Sequence, residues 1–223
     1  MKRKKQLIFF SLLCLTMGVV GQVWDDRPAV EFETDYQQDF TGTWEASGRT
    51  MFDGQWQQKD PFPDTQFGNG YLQFFWPNYR ILRSNQAYTP PYMIEGKLAY
   101  GDASSTGGMI IRANGDNSIE DLQSNFTADG FDYNKEGIAF YPANADSMYI
   151  QITSDDKSAR TRAKVPKPAG AVDLLATPYN LRVEDYDSSI YAFIDDDIFA
   201  RIELDGFDEA TGFYSSGTVY DTT

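Results

Sequence analysis

"IYAFIDDDIFARIEL", residues Ile190 to Leu204, holds two alternating runs, Ile190 to Ile194 and Ile198 to Leu204, around Asp195, Asp196 and Asp197. Period-two alternation broken by a short cluster of turn-forming residues predicts a β-hairpin, here with a three-residue loop. In the second run Ile198, Ala200, Ile202 and Leu204 share one face, and Phe199, Arg201 and Glu203 share the other. One side of the hairpin is therefore core and the other partly wet. Three consecutive aspartates also invite a calcium reading. Calcium needs six to eight oxygens, however, and the glycine and distal glutamate of an EF-hand loop are missing, so a turn is the better account.

Working outward, the same pattern recurs. "GYLQFFW" (Gly70 to Trp76), "PYMIEGKLAY" (Pro91 to Tyr100), "GGMIIRAN" (Gly107 to Asn114), "EGIAFYP" (Glu136 to Pro142), "SMYIQITS" (Ser147 to Ser154) and "YNLRVEDY" (Tyr179 to Tyr186) are short β-rich runs bounded by Gly, Pro, Asn or Asp. Only "SIEDLQ" (Ser118 to Gln123) and "AVDLLA" (Ala171 to Ala176) can hold a helical turn or two. "RTRAKVPKPAG" (Arg160 to Gly170) reads as an exposed basic crossover loop. Aromatic residues at 15%, with 18 glycines and ten prolines, suit many strands joined by tight turns. The expected fold is all-β, a two-sheet β-sandwich.

The chain opens with Lys2, Arg3, Lys4 and Lys5, continues through an apolar run from Leu7 to Val20, and reaches small residues at Gly18 and Gly21. That layout predicts a secretory signal over residues 1–21, with cleavage after Gly21 and one domain over residues 22–223. The apolar run is short of the ~20 residues a membrane span needs. Cys14, the one cysteine, lies inside this segment, so no disulfide can staple the mature domain. The product is expected to be secreted or periplasmic, and monomeric.

Loss of residues 1–21 removes four positive charges and no negative ones, taking the net charge from −14 to −18. Nucleic acid and anionic membrane surfaces both require a basic footprint, which this chain lacks. Calcium is the cation such a surface would hold, and a structural calcium is the one cofactor left open. The absence of histidine excludes Ser-His-Asp triads, Cys-His pairs, His-ligated zinc and a histidine general base.

The strings "YTPPYMIEGKLAY", "GGMIIRA", "EGIAFYP", "MYIQIT" and "NLRVEDYDSSIYAFIDDD" together resemble the concanavalin A-like lectin/glucanase sandwiches secreted by Bacteroidetes-type bacteria. The nearest subgroup is the 3-keto-disaccharide hydrolase-like domains of polysaccharide-degrading proteins. The resemblance runs from about Phe32 to Tyr220. It implies a two-sheet jelly roll whose curved sheet holds a glycan. Active members are expected to use metal and histidine, which this chain departs from. The family commonly closes its sandwich with one more strand after the hairpin, whereas this chain stops at "TVYDTT", so its last strand is either missing or supplied differently.

A carboxylate-pair glycosidase needs two acids about 5–5.5 Å apart if retaining and about 6.5–9.5 Å apart if inverting. Laminarinase-type sandwiches place theirs on one strand as E-x-D-x-E. Here the comparable strand gives Glu95, Lys97 and Ala99 on one face, a single acid. Glu136 is the candidate second acid, so Glu95 and Glu136 are the catalytic residues if the protein is an enzyme. Arg112 is expected near Glu95 or Lys97 through a hairpin-like partner, as a cross-strand pair or a glycan contact.

Sugars stack on flat rings while their hydroxyls take charged or amide partners. Tyr71 with Gln73, and Tyr149 with Gln151, form faces that read as wet, and Trp56 in polar "DGQWQQKD" reads as an exposed loop residue. The carbohydrate-binding candidates are thus Trp56, Tyr71, Gln73, Glu95, Arg112, Tyr149 and Gln151. The function expected is glycan binding in polysaccharide recognition or degradation; the alternatives are a divergent hydrolase or lyase using carboxylates, and a structural envelope protein.

Overall fold

The computed structural model describes residues 26–32, 50–51, 56–58, 65–68, 71–74, 82–84, 88–100, 107–112, 137–153, 160–208 and 213–221. Among the described residues fourteen strands run in chain order. They are β1 (Thr50–Met51), β2 (Trp56–Gln58), β3 (Thr65–Gly68), β4 (Tyr71–Phe74), β5 (Leu82–Ser84), β6 (Tyr92–Leu98) and β7 (Met109–Ile111), followed by β8 (Gly137–Asn144), β9 (Ser147–Thr153), β10 (Arg160–Pro166), β11 (Tyr179–Asp185), β12 (Ser189–Ile194), β13 (Asp197–Asp208) and β14 (Phe213–Asp221). Two antiparallel sheets carry the core, a five-stranded one in the order β14-β13-β12-β11-β6 and a four-stranded one in the order β10-β9-β8-β7. Two smaller groups, β1-β2-β5 and β3-β4, complete the described strands, among which there is no helix.

Side-chain alternation explains why the two sheets face each other. Leu181 and Val183 of β11, Ile190, Ala192 and Ile194 of β12 and Ile202 of β13 are fully buried on one face, and Ile138, Phe140, Met148, Ile150 and Ile152 meet them from the other sheet in one core. On β6 the half-buried Ile94 and Leu98 join that core, while Met93, Glu95 and Lys97 point to solvent. Burying such aliphatic side chains stabilises the fold by about 1.5–3 kcal/mol each, an upper estimate because the unfolded chain is itself partly collapsed. Gly217 of β14 sits tight against Ile152 of the other sheet. A Cβ there would lie 2.8 Å from Ile152 Cδ1 and 2.9 Å from the Glu203 carbonyl oxygen.

The hairpin differs from its sequence reading in two ways. Its loop has two residues, because Ile194 pairs with Asp197 and both Asp195 (φ 48°) and Asp196 (φ 73°) are left-handed, the pair of conformations a type I′ turn requires. Asp195 also exchanges bonds with β11, its amide donating to the Asn180 carbonyl and its Oδ1 accepting from the Asn180 amide. Second, the register shifts between Ala192 and Phe193, whose partners are Ala200 and Ile198. This bulge inserts Phe199 as an extra residue, so Phe199 is buried and Ile198 only half-buried.

Other expectations are also revised. Arg160–Pro166 is an edge strand rather than a crossover loop: Ala163 and Val165 turn to the core, while Arg162 and Lys164 stay exposed. "AVDLLA" holds one turn, capped by Asp173 Oδ1 accepting from the amides of Leu175 and Ala176. Phe213–Asp221 forms β14, so a strand does follow the hairpin.

Candidate functional site

Asp185 ends β11 on the core parity of Leu181 and Val183, and it is fully buried. A buried carboxylate demands a cation. It comes from the opposite sheet: Arg112, directly after β7, donates Nε to Asp185 Oδ2 and Nη2 to Asp185 Oδ1, both at 2.6 Å. This two-pronged pair bolts the sheets together at one end of the sandwich. Arg112 Nη2 also donates to the Asp187 carbonyl oxygen and lies 3.6 Å from Asp187 Oδ1. Asp185 Oδ1 in turn accepts from the Asp187 amide at 2.9 Å, tightening the β11–β12 turn.

Both Arg112 (φ 53°) and Asp187 (φ 78°) are left-handed. For Arg112 this costs on the order of 1–3 kcal/mol, tolerated because the ion pair over-determines the conformation. Two rings border the cluster. Tyr214 of β14 lies under the Arg112 guanidinium, 5.3 Å from ring centroid to Cζ, on the same arginine that Asp187 Oδ1 approaches. Phe207 of β13 pairs with Tyr214 across the strands at 5.0 Å between centroids and is 53% exposed.

The electrostatics favour hydrogen bonding over proton transfer. Burial, then the charge and hydrogen bond of Asp185, pushes the Tyr92 phenol well above its ordinary value. Burial and then Asp187 also raise the Tyr214 phenol. For Arg112 burial opposes the charge, but the Asp185 hydrogen bond and charge outweigh it and the net movement is upward. The cluster thus offers neutral phenols, a permanent cation and an exposed carboxylate on Asp187. Beside it lies a cavity of about 20 Å³, lined by Arg112, Gly137, Ile138, Ile152, Thr153, Leu204 and Tyr214. One water fits such a space, whereas ligand pockets run to about 300–1,000 Å³. A larger ligand here must bind on the surface.

A second polar cluster covers the outer face of the five-stranded sheet. Asp26 accepts from Tyr191 Oη at 2.9 Å and Arg201 Nη1 at 2.7 Å, and Arg27 Nη1 donates to Glu184 Oε2 at 2.9 Å. Arg182 stacks on Phe193 with its Cζ 4.1 Å from the ring centroid and pairs with Asp196 at 2.6 Å. The segment from Asp26 to Phe32 is clasped to the sheet by these pairs and by the contact of Phe32 with Tyr186. The Asp195–Asp197 turn therefore serves as a tie for β11 and a partner for Arg182. Among the described residues, no group of three or more His, Cys, Asp or Glu side chains converges to hold a metal ion.

The sequence-predicted residues are scattered. Glu95 and Lys97 are exposed on the outer side of β6, with Arg182 as the Cα partner of Glu95, whereas Arg112 lies between the sheets; β6 and β7 are in different sheets, and the expected pairing does not form. Gln151 is buried, not wet: its Oε1 accepts from Tyr141 Oη at 3.2 Å and its Nε2 donates to Thr153 Oγ1 at 3.3 Å. Tyr149 is half-buried beneath Arg162, whose Cζ is 3.8 Å from the ring centroid. Trp56 opens strand β2 instead of sitting in a loop, paired with Met51 and Ser84. Tyr71 and Gln73 lie on β4 opposite Gly68 and Gln66. Glu136 is outside the described residues. Missed by the sequence reading were Asp185, Asp187, Tyr214 and Phe207. One signal was present: in "NLRVEDY" an aspartate occupies the parity of Leu181 and Val183.

Comparison with family models, with curated proteins and with solved structures finds no match to this chain. No helix among the described residues is long and apolar enough to cross a membrane.

Proposed function

We propose that the chain is a secreted β-sandwich that binds an oligo- or polysaccharide at the sandwich end where Phe207, Tyr214, Asp187 and Arg112 meet. The observation that carries this reading is the 53%-exposed Phe207 ring against Tyr214, which lies under the Arg112 guanidinium that the Asp187 carboxylate also approaches. Saccharides present an apolar ring face and a rim of hydroxyls, and this end of the molecule presents a ring face and a rim of fixed donors and acceptors. The buried Arg112–Asp185 pair keeps that rim in place without loop rearrangement, so little ordering cost is left for binding. Fold class alone would not support the reading, since sandwiches host many functions. The basic and apolar N-terminal stretch supports the secreted part.

A glycan array on the protein from residue 22 onward, followed by product analysis on whatever binds, tests the proposal. It predicts a bound glycan that is recovered uncleaved, and an approximately tenfold weaker complex for Phe207→Ala, or ~1.4 kcal/mol. An array without binding contradicts the proposal, and cleavage products would replace it with the hydrolase reading.

A further inference from the structure

We infer that this end of the sandwich selects a cationic saccharide, an amino sugar with a free ammonium group, in preference to neutral or N-acetylated sugars; the inference rests on the glycan-binding reading above. The local charge decides it. The Arg112 guanidinium is answered by the fully buried Asp185 through two 2.6 Å bonds, so the pair presents no net charge outward. Asp187 is left over. Its side chain is 65% exposed and its carboxylate meets Arg112 only at 3.6 Å. The charge facing solvent at the cluster is therefore negative.

The rings point the same way. An aromatic face attracts a cation through its quadrupole, and Phe207 offers such a face, packed on Tyr214, which lies under the same Arg112 guanidinium that Asp187 borders. An ammonium beside Asp187 gains a charge-assisted hydrogen bond, and one over the exposed Phe207 ring gains a cation–π contact. An acetamido N–H can still donate to Asp187 but carries no positive charge, so it loses the ion-pair attraction and the cation–π contact. A uronate meets like charge at Asp187, and the chain's net charge of −14 adds to that repulsion.

Calorimetric titration with the β-1,4-linked glucosamine tetramer and its fully N-acetylated counterpart tests this, because the two differ only in the amine. The wild-type protein should bind the glucosamine tetramer about tenfold more tightly, the gain expected from an exposed ion pair together with a cation–π contact. Asp187→Asn should abolish the preference. Asp187→Gly should do so too while retaining the left-handed backbone, which guards against a folding artefact. Glu95→Gln removes the same charge from the far face and should keep the preference. Equal binding of both tetramers, binding of neither, survival of the preference in both Asp187 variants, or its loss in Glu95→Gln would each overturn the inference. The glycan reading stands or falls separately, on the array and Phe207→Ala.

Discussion

Glu95 and Asp185 are acids on adjacent strands of one sheet, and their surroundings are opposite. Glu95 occupies the solvent parity of β6. Asp185 occupies the core parity of β11, at 0% exposure, and holds an arginine from the other sheet. Residue type does not separate the two; position along the pleat does. The exposed acid can be exchanged at small cost, whereas the buried one is part of the joint between the sheets. A fixed site grows at the joint because its geometry cannot relax.

Asp185→Ala should give the largest effect. It strands a mostly buried guanidinium, and urea unfolding should show a loss of about 3–5 kcal/mol. A loss below ~1 kcal/mol would erase the distinction between the two acids. Alkali tests the core side next. Burial pushes the Tyr179 phenol up to about 12, above its ordinary 10. A folded-state pKa raised above the unfolded value stabilises the fold below pH 10 and the benefit is lost as pH rises towards 12, on the order of 3 kcal/mol. The part of the tyrosinate absorbance that is missing in Tyr179→Phe should appear together with unfolding, not before it. Gly217→Ala should cost about 1–3 kcal/mol by forcing a methyl against Ile152 and the Glu203 carbonyl. Glu95→Gln should change stability by no more than ~0.5 kcal/mol, as at other surface positions.

Alternation was the legible part of this fold. Glu95 and Lys97 opposite Ile94 and Leu98, and the inward set Met148, Ile150 and Ile152, follow from period two alone. Where the pleat breaks, so does the inference: the bulge at Phe199 exchanges its face with that of Ile198, and nothing local announces a bulge. Arg160–Pro166 hid its alternation of Thr161, Ala163 and Val165 behind three basic residues. Gln151 shows a further limit, since parity tells which side a residue faces but not whether that side is covered. The site was least legible because it joins segments distant in the chain. Arg112 and Asp185 are 73 residues apart, and only sheet membership, which sequence did not provide, brings them within bonding distance.

The most direct measurement is a paired titration of the best glycan from the array against Phe207→Ala and Glu95→Gln, with circular dichroism confirming that both variants are folded. The account predicts about a tenfold loss of affinity for Phe207→Ala and wild-type affinity for Glu95→Gln. Wild-type affinity in Phe207→Ala with a loss in Glu95→Gln would contradict it and move recognition to the outer face of β6.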